Sequence, residues 1–286
     1  MLLTLMAVSF FSGLDAIVAP GAQVEKVLTG YKFTEGPAWT RKNTLVFSDI
    51  DGDKLIEWDG TNATTFRDPS GKANGNTIGP DGLLYNAGHV SGNVTRTNAD
   101  GSVTVLTDKF EGKRYNSPND LVVRKNGDIY FTDPFYGLWG RKAELDYAGV
   151  YRLSNGEVTL QSKEFKTPNG IVLSPDEKTC YVADTESQRI WAYDIAKDGN
   201  LTNGRAFCEH MPGNPDGIRV DVKGNLYAAA SKNIAVYDPK GNLLGLIPIP
   251  ETTTNCGWGG KDGKTLYVTA QKSVYAIQCR IKGLRH

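Results

Sequence analysis

Short apolar runs, each followed by an alternating run, recur along the chain. The apolar runs read TLVFSDI, GLLYNAGH, DIYFTDP, TCYVADT, NLYAAAS and TLYVTA. They are spaced at about 40–50 residues, the period of propeller blades. Turn dipeptides precede them, among them Asn126-Gly127, Pro175-Asp176, Lys223-Gly224 and Asp262-Gly263. Such turns join antiparallel strands as hairpins. The alternating runs that follow are KLIEWDG, GNVTRTN, GVYRLSN, RIWAYDI, NIAVYDP and SVYAIQC, and most repeats then add an outer strand such as VTVLTDKF, VTLQSKEF or LLGLIPIP.

Each repeat therefore supplies up to four strands, and the resulting sheet has a face it cannot bury alone. Six such sheets arranged radially bury one another. The pattern predicts an all-β, six-bladed β-propeller with four-stranded antiparallel blades. The last repeat ends soon after SVYAIQC and lacks a strand, which QVEKVLTG, ahead of the first repeat, can supply to close the ring. A two-sheet sandwich is the alternative, but its strands would not carry a repeat of this length. No helical periodicity exceeds a turn or two, and RKAELDYAG (Arg141 to Gly149) reads as a short helix or a loop flap.

These elements place one domain over residues 21–286. Residues 1–20 read either as a signal peptide or as a packed N-terminal extension. MLLTLMAVSFFSG is apolar but too short to span a bilayer, and it has no Lys or Arg before the apolar stretch. Export to the periplasm or medium is the expectation from that run, with the cytoplasm as the alternative.

Composition adds turns and removes partners. Glycine contributes 32 of 286 residues, well above the roughly 7% usual in soluble chains. The 32 basic and 32 acidic side chains cancel, which gives no attraction to nucleic acid or to an anionic membrane. Cys180, Cys208, Cys256 and Cys279 lack the close pairing of a zinc site, and Cys180 sits in an apolar strand as a buried thiol would.

The start of each innermost strand lies at one mouth of a propeller's channel, so residues far apart in sequence converge there. The six repeats place Glu35, Asn74, Asn119, Asn169, Asp216 and Asn255 at those positions, and every one carries a side-chain oxygen acceptor. Asn and Asp after Pro are ordinary turn residues. Their recurrence at equivalent places, with Glu35 among them, is not a turn preference. Oxygens crowded on one axis call for a hard dication, and Glu35 with Asp216 would balance its charge. All-oxygen donors suit calcium. Zinc is disfavoured because only His89, His210 and His286 are present, without ligand spacing, and magnesium prefers to keep more waters.

At these residues the chain resembles the senescence marker protein/gluconolactonase/luciferin-regenerating enzyme family, and most of all its bacterial gluconolactonase branch. The motifs are TEGPAW, NGNT, RTNADGSVTVLTDKFEGKRYNSPNDLVV, IYFTDPFYG, PNGIVLSPDEKTCYVADT and PDGIRVD, and the likeness runs from about Val24 to Gly283. The resemblance implies a mid-channel calcium ion on Glu35, Asn119, Asn169 and Asp216, and hydrolysis of a small-molecule lactone. In that scheme Asp216 orients or deprotonates water, while Asn74, His89 and Asn119 contact substrate. Asn76 is expected at the same mouth, His89 has the chemistry of a proton shuttle, and Asp133, Tyr136 and Asp184 read as supporting residues. An arginine that holds sugar lactones in the animal branch is replaced here by Ser117, a departure that bears on substrate and not on the metal.

Other chemistries find no motif. There is no G-x-S-x-G elbow and no G-x-G-x-x-G between strand and helix. DIDGDKLIEWDG lacks the glycine and glutamate of a calcium-binding loop. Two function classes remain: a calcium-dependent lactonase, for which phosphotriesters are a side substrate class, and a non-catalytic propeller that binds a sugar or protein partner at a calcium-plugged mouth. Nothing in the sequence fixes the oligomeric state.

Overall fold

The protein is seen in a computed structural model that describes residues 13–284. Six four-stranded antiparallel sheets form the ring, and in the first five the strands pair in chain order from the axis outward. The innermost strands are Thr34–Trp39, Ala73–Ile78, Leu121–Val123, Pro168–Leu173, Pro215–Val220 and Thr253–Gly259, which define blades 1 to 6. The sixth blade takes its outermost strand from the N-terminal side: Glu25–Thr29 pairs with Ser273–Gln278, Glu25 opposite Ala276 and Thr29 opposite Ser273. Glu251 pins this closure by accepting hydrogen bonds from Lys26 Nζ (2.9 Å), Ser273 Oγ (2.7 Å) and Tyr275 Oη (2.8 Å).

The second strands are buried along their whole length in Leu45–Asp49, Leu84–Gly88, Ile129–Asp133 and Leu226–Ala230. A neighbouring blade covers each face, which is why these segments are near-continuous apolar runs rather than alternating ones. One apolar cluster fills each wedge between successive blades, as Val122, Tyr130 and Phe165 do against Ile171, Cys180 and Val182 between blades 3 and 4. The outermost strands face solvent on one side, as the pattern of Ala63–Arg67 shows.

No α-helix occurs among the described residues; Leu14–Ala16 and Tyr136–Leu138 are single 3-10 turns. Of the stretch Arg141 to Gly149, residues 141–148 form an irregular loop, not a helix, and Gly149 opens the strand Gly149–Ser154. Leu14, Ile17 and Val18 are buried against blades 5 and 6, and Val18 bridges to Cys279. The apolar run proposed as an export signal lies, through residue 12, outside the described residues. All four cysteines are free and buried. No helix among the described residues is long and apolar enough to cross a membrane.

Candidate active site

Five of the six innermost strands slip register against their neighbours where the acceptor residues sit. The slips fall between Glu35 and Ala38, Ala73 and Asn76, Pro168 and Ile171, Pro215 and Ile218, and Thr253 and Asn255. A β-bulge re-aims a side chain out of the alternating pattern, and here it turns the acceptors toward the axis. The residue after the acceptor is glycine in four cases because neighbouring strands nearly touch there. A Cβ on Gly217 would lie 1.9 Å from Asn255 Cγ, and one on Gly170 would lie 2.5 Å from the Asp216 carbonyl oxygen. In blade 3 the Asn119 carbonyl accepts from Gly75 N–H at 2.7 Å, which ties it to blade 2.

The second strands hold this ring from behind. Ser48 Oγ donates to the Asn74 carbonyl and Thr132 Oγ1 to the Asn169 carbonyl, both at 2.7 Å, so each blade fixes the acceptor of the next. Asp133 accepts from Asn116 N–H (2.9 Å) and Ser117 N–H (2.6 Å), and Asp184 from Thr167 N–H (2.9 Å). These carboxylates anchor the segments that lead into the inner strands.

Glu35, Asn74, His89, Asn119, Asn169 and Asp216 line one cavity of about 420 Å³, and Tyr136 stands at its rim. Asn255 does not line it. Its Nδ2 instead donates to Glu35 Oε2 at 2.9 Å while its Oδ1 accepts from Cys256 N–H, so it orients Glu35 from below. Asn76 also departs from expectation. The bulge sends it inward, where its amide donates to the Gly36 carbonyl (2.7 Å) and Ser48 Oγ (2.9 Å), and it lines a cavity at the other end of the channel. That second cavity is larger, about 480 Å³, but its walls include Pro37, Trp39, Ile78 and Trp258 and no carboxylate. The candidate chemistry therefore belongs to the smaller one.

The electrostatics of the smaller cavity are those of an uncompensated acid cluster. Burial pushes the Glu35 carboxyl up to about 7, against hydrogen bonds from Asn255 and Gly36 N–H and with a further push from Asp120. Burial and the neighbouring Glu35 charge raise Asp216 well above the usual carboxylate range. Asn74 Oδ1 and Asn169 Oδ1 are buried without a hydrogen-bond partner. Two crowded carboxylates and the orphaned Asn169 oxygen fit a hard cation, which would satisfy them and reverse both shifts, while the Asn74 oxygen stays open to a ligand in the same cavity. Among the described residues no group of three or more His, Cys, Asp or Glu is arranged to hold a metal; this donor set differs in drawing half its oxygens from amides.

Two charged residues escaped the sequence reading. Asp120 and Arg219 pair at 3.0 Å across the channel, with side chains 1% and 13% exposed. Arg219 also donates to the Ile218 carbonyl at 2.7 Å, and its side chain lines the far cavity. The pair thus stands between the two cavities. An arginine inside the otherwise apolar stretch GIRV was the available signal. His89 faces the backbone carbonyls of Ser117 and Pro118, and burial lowers its pKa to about 4, so the ring is neutral near pH 7.

Oxygen acceptors from successive inner strands, five of the six strands bulged, define a six-bladed propeller with an acidic pocket at one mouth. The chain matches the family described as "SMP-30/Gluconolactonase/LRE-like region" over residues 33–272, and it belongs to that family. It is 34% identical to a gluconolactonase of Zymomonas mobilis, over 96% of this chain and 86% of that protein. It is 30% identical to the pentonolactonase XacC of Haloferax volcanii, over 84% and 82%. A solved gluconolactonase structure from Xanthomonas campestris superposes with a TM-score of 0.88 at 33% identity, over 95% and 94% of the two chains.

Proposed function

We propose that the protein hydrolyses lactones in the smaller cavity, with a divalent cation, calcium by its donor set, held by Glu35, Asn119, Asn169 and Asp216. The observation that carries this reading is the meeting, in one pocket, of amide oxygens from separate blades and two buried carboxylates that form no salt bridge among the described residues. Relatives named as gluconolactonase and pentonolactonase supply the substrate class. When bound, such a cation supplies Lewis-acid polarisation of the lactone carbonyl and stabilises its developing negative charge.

The chain's residues do the rest. Asp216 directs one carboxylate oxygen at a water and accepts its proton as the water oxygen bonds to the carbonyl carbon. The ring C–O bond then breaks, and the proton passes from Asp216 to the departing alkoxide, which leaves a hydroxy acid. Asn255 and Gly36 N–H hold Glu35 in place. Asn74 and Asn119 contact substrate. Neutral His89, its nitrogens facing Asn74 Nδ2 at 3.5 Å and the Ser117 and Pro118 carbonyls, meets the substrate with its ring rather than as a cation.

A pH-indicator assay over a lactone panel tests this. Proton release should stop with chelator, return with calcium, and fall by at least about a hundredfold in Asp216→Asn. A panel with no metal-dependent hydrolysis would favour a non-catalytic binding propeller, and full turnover by Asp216→Asn would remove the assigned role.

A further inference from the structure

We infer that the substrate carries an apolar alkyl or aryl substituent and few hydroxyls, its apolar part lying on an aromatic wall formed by Phe33, Tyr136 and Trp139. This rests on the lactonase reading and goes beyond it to the kind of lactone. Among the described residues, the exposed aromatic residues are Phe33 (38%), Phe135 (36%), Tyr136 (44%) and Trp139 (55%). Three of them line the mouth of the one cavity that holds the acceptor ring, with Ile50 beside them, and Phe135 precedes Tyr136 in the chain. Exposed apolar surface gathered at one place, rather than scattered, marks a binding face.

The wall is preformed. Its 3-10 turn, Tyr136–Leu138, is docked tightly, since a Cβ on Gly137 would lie 2.7 Å from both His89 Cδ2 and Ser117 Cβ. Arg141 fixes the following residues by donating to the carbonyls of Tyr115 (3.1 Å) and Asn116 (2.6 Å). Trp139 adopts a left-handed backbone, φ 46° and ψ 46°, which is uncommon for a bulky residue. Its ring lies 4.2 Å from Lys72 Nζ, a cation–π contact that ties the blade 3 loop to blade 2. Trp139 is thus held open to solvent beside the cavity, where an unconstrained tryptophan would fold onto apolar surface.

The polar inventory points the same way. Glu35, Asn119, Asn169 and Asp216 are committed to the proposed cation. Thr185 Oγ1 donates to the Pro215 carbonyl (2.7 Å) and accepts from Asn169 Nδ2 (3.1 Å), and His89 faces the carbonyls of Ser117 and Pro118. Asn74 Oδ1 and Asn119 Nδ2 remain for substrate hydroxyls inside the cavity, and the exposed Asp51 carboxylate and Tyr136 hydroxyl at its rim. A polyhydroxylated lactone seated on the ring would bury more hydroxyls than the two inner groups can pair, each excess one costing roughly tenfold in affinity, whereas each methylene laid on the wall gains roughly threefold.

The test compares kcat/KM for δ-valerolactone, δ-hexalactone, δ-nonalactone and glucono-1,5-lactone, alongside calorimetric binding of the lactam analogues of the first and third. The expected result is a rise of roughly threefold per methylene over the first few, carried by KM. Tighter binding of the longer lactam should accompany it. Trp139→Ala and Tyr136→Ala should each lower the δ-nonalactone to δ-valerolactone ratio at least about fivefold. The inference is overturned if glucono-1,5-lactone has the highest kcat/KM, or if both variants leave that ratio unchanged. If no lactone is hydrolysed, the lactonase reading fails by itself. The two lactams then decide the wall: a longer lactam bound no better than the shorter one refutes it.

Discussion

Replacing Arg219 with methionine removes the guanidinium that faces Asp120 and leaves Asp120, Glu35 and Asp216 buried in one region of the channel. The side chains of the pair are 13% and 1% exposed, with N and O 3.0 Å apart. A charge separation of about 4 Å at an effective dielectric near 20 corresponds to about 4 kcal/mol of gross attraction. Removing one partner of a buried pair typically costs about 3–5 kcal/mol, because the survivor stays desolvated. Arg219→Met should therefore lose about 3–5 kcal/mol in urea unfolding followed by tryptophan fluorescence, and Asp120→Asn should lose a similar amount. In the double variant neither charge is left alone, so its loss should fall short of the sum of the singles by at least about 2 kcal/mol. Midpoints should shift with unchanged m-values. Additive losses, or a loss below about 1 kcal/mol in Arg219→Met, would refute the view that this pair is a coupled plug between the two cavities.

His89 and Gly217 give further tests. The His89 pKa is about 4 in the fold against an ordinary 6.5, with burial the main cause, so the folded chain binds fewer protons than the unfolded chain between those values. That contribution to stability is complete above pH 6.5 and is lost as pH falls toward 4, by roughly 3 kcal/mol at full shift. Denaturation midpoints of His89→Gln should fall less steeply over that window than those of the wild type, and parallel curves would contradict the burial argument. Gly217→Ala places a methyl 1.9 Å from Asn255 Cγ and should cost about 1–3 kcal/mol, measured by thermal unfolding. It should also lower lactone turnover, because Asn255 orients Glu35; an unchanged melting temperature would show that the inner strands are not in close contact there.

Much of the fold was legible because the propeller writes its repeat into the chain. Each buried second strand is a short apolar run, each hairpin has a turn dipeptide, and the missing last strand pointed to QVEKVLTG. The acceptor ring was legible for the same reason: equivalent positions in equivalent blades carry Glu, Asn or Asp. What repetition could not show is where a side chain goes once a bulge interrupts the alternation. Asn74 and Asn76 look alike in NGN, yet one lines the mouth and the other is consumed by Gly36 and Ser48. Asp120 and Arg219 lie in different blades, 99 positions apart, and meet only when the ring closes. Two of the three wall residues, Tyr136 and Trp139, belong to the long loop between Ile129–Asp133 and Gly149–Ser154, which has no counterpart of that length in other blades, and a repeat-based reading passes over such a segment.

The most direct measurement is a crystal structure grown with calcium, together with an anomalous difference map from crystals grown with terbium. The proposed function requires one ion in the smaller cavity, within about 2.3–2.6 Å of side-chain oxygens of Glu35, Asn119, Asn169 and Asp216. A fully ordered cavity without an ion at millimolar calcium, or an ion bound elsewhere on the ring, would contradict it.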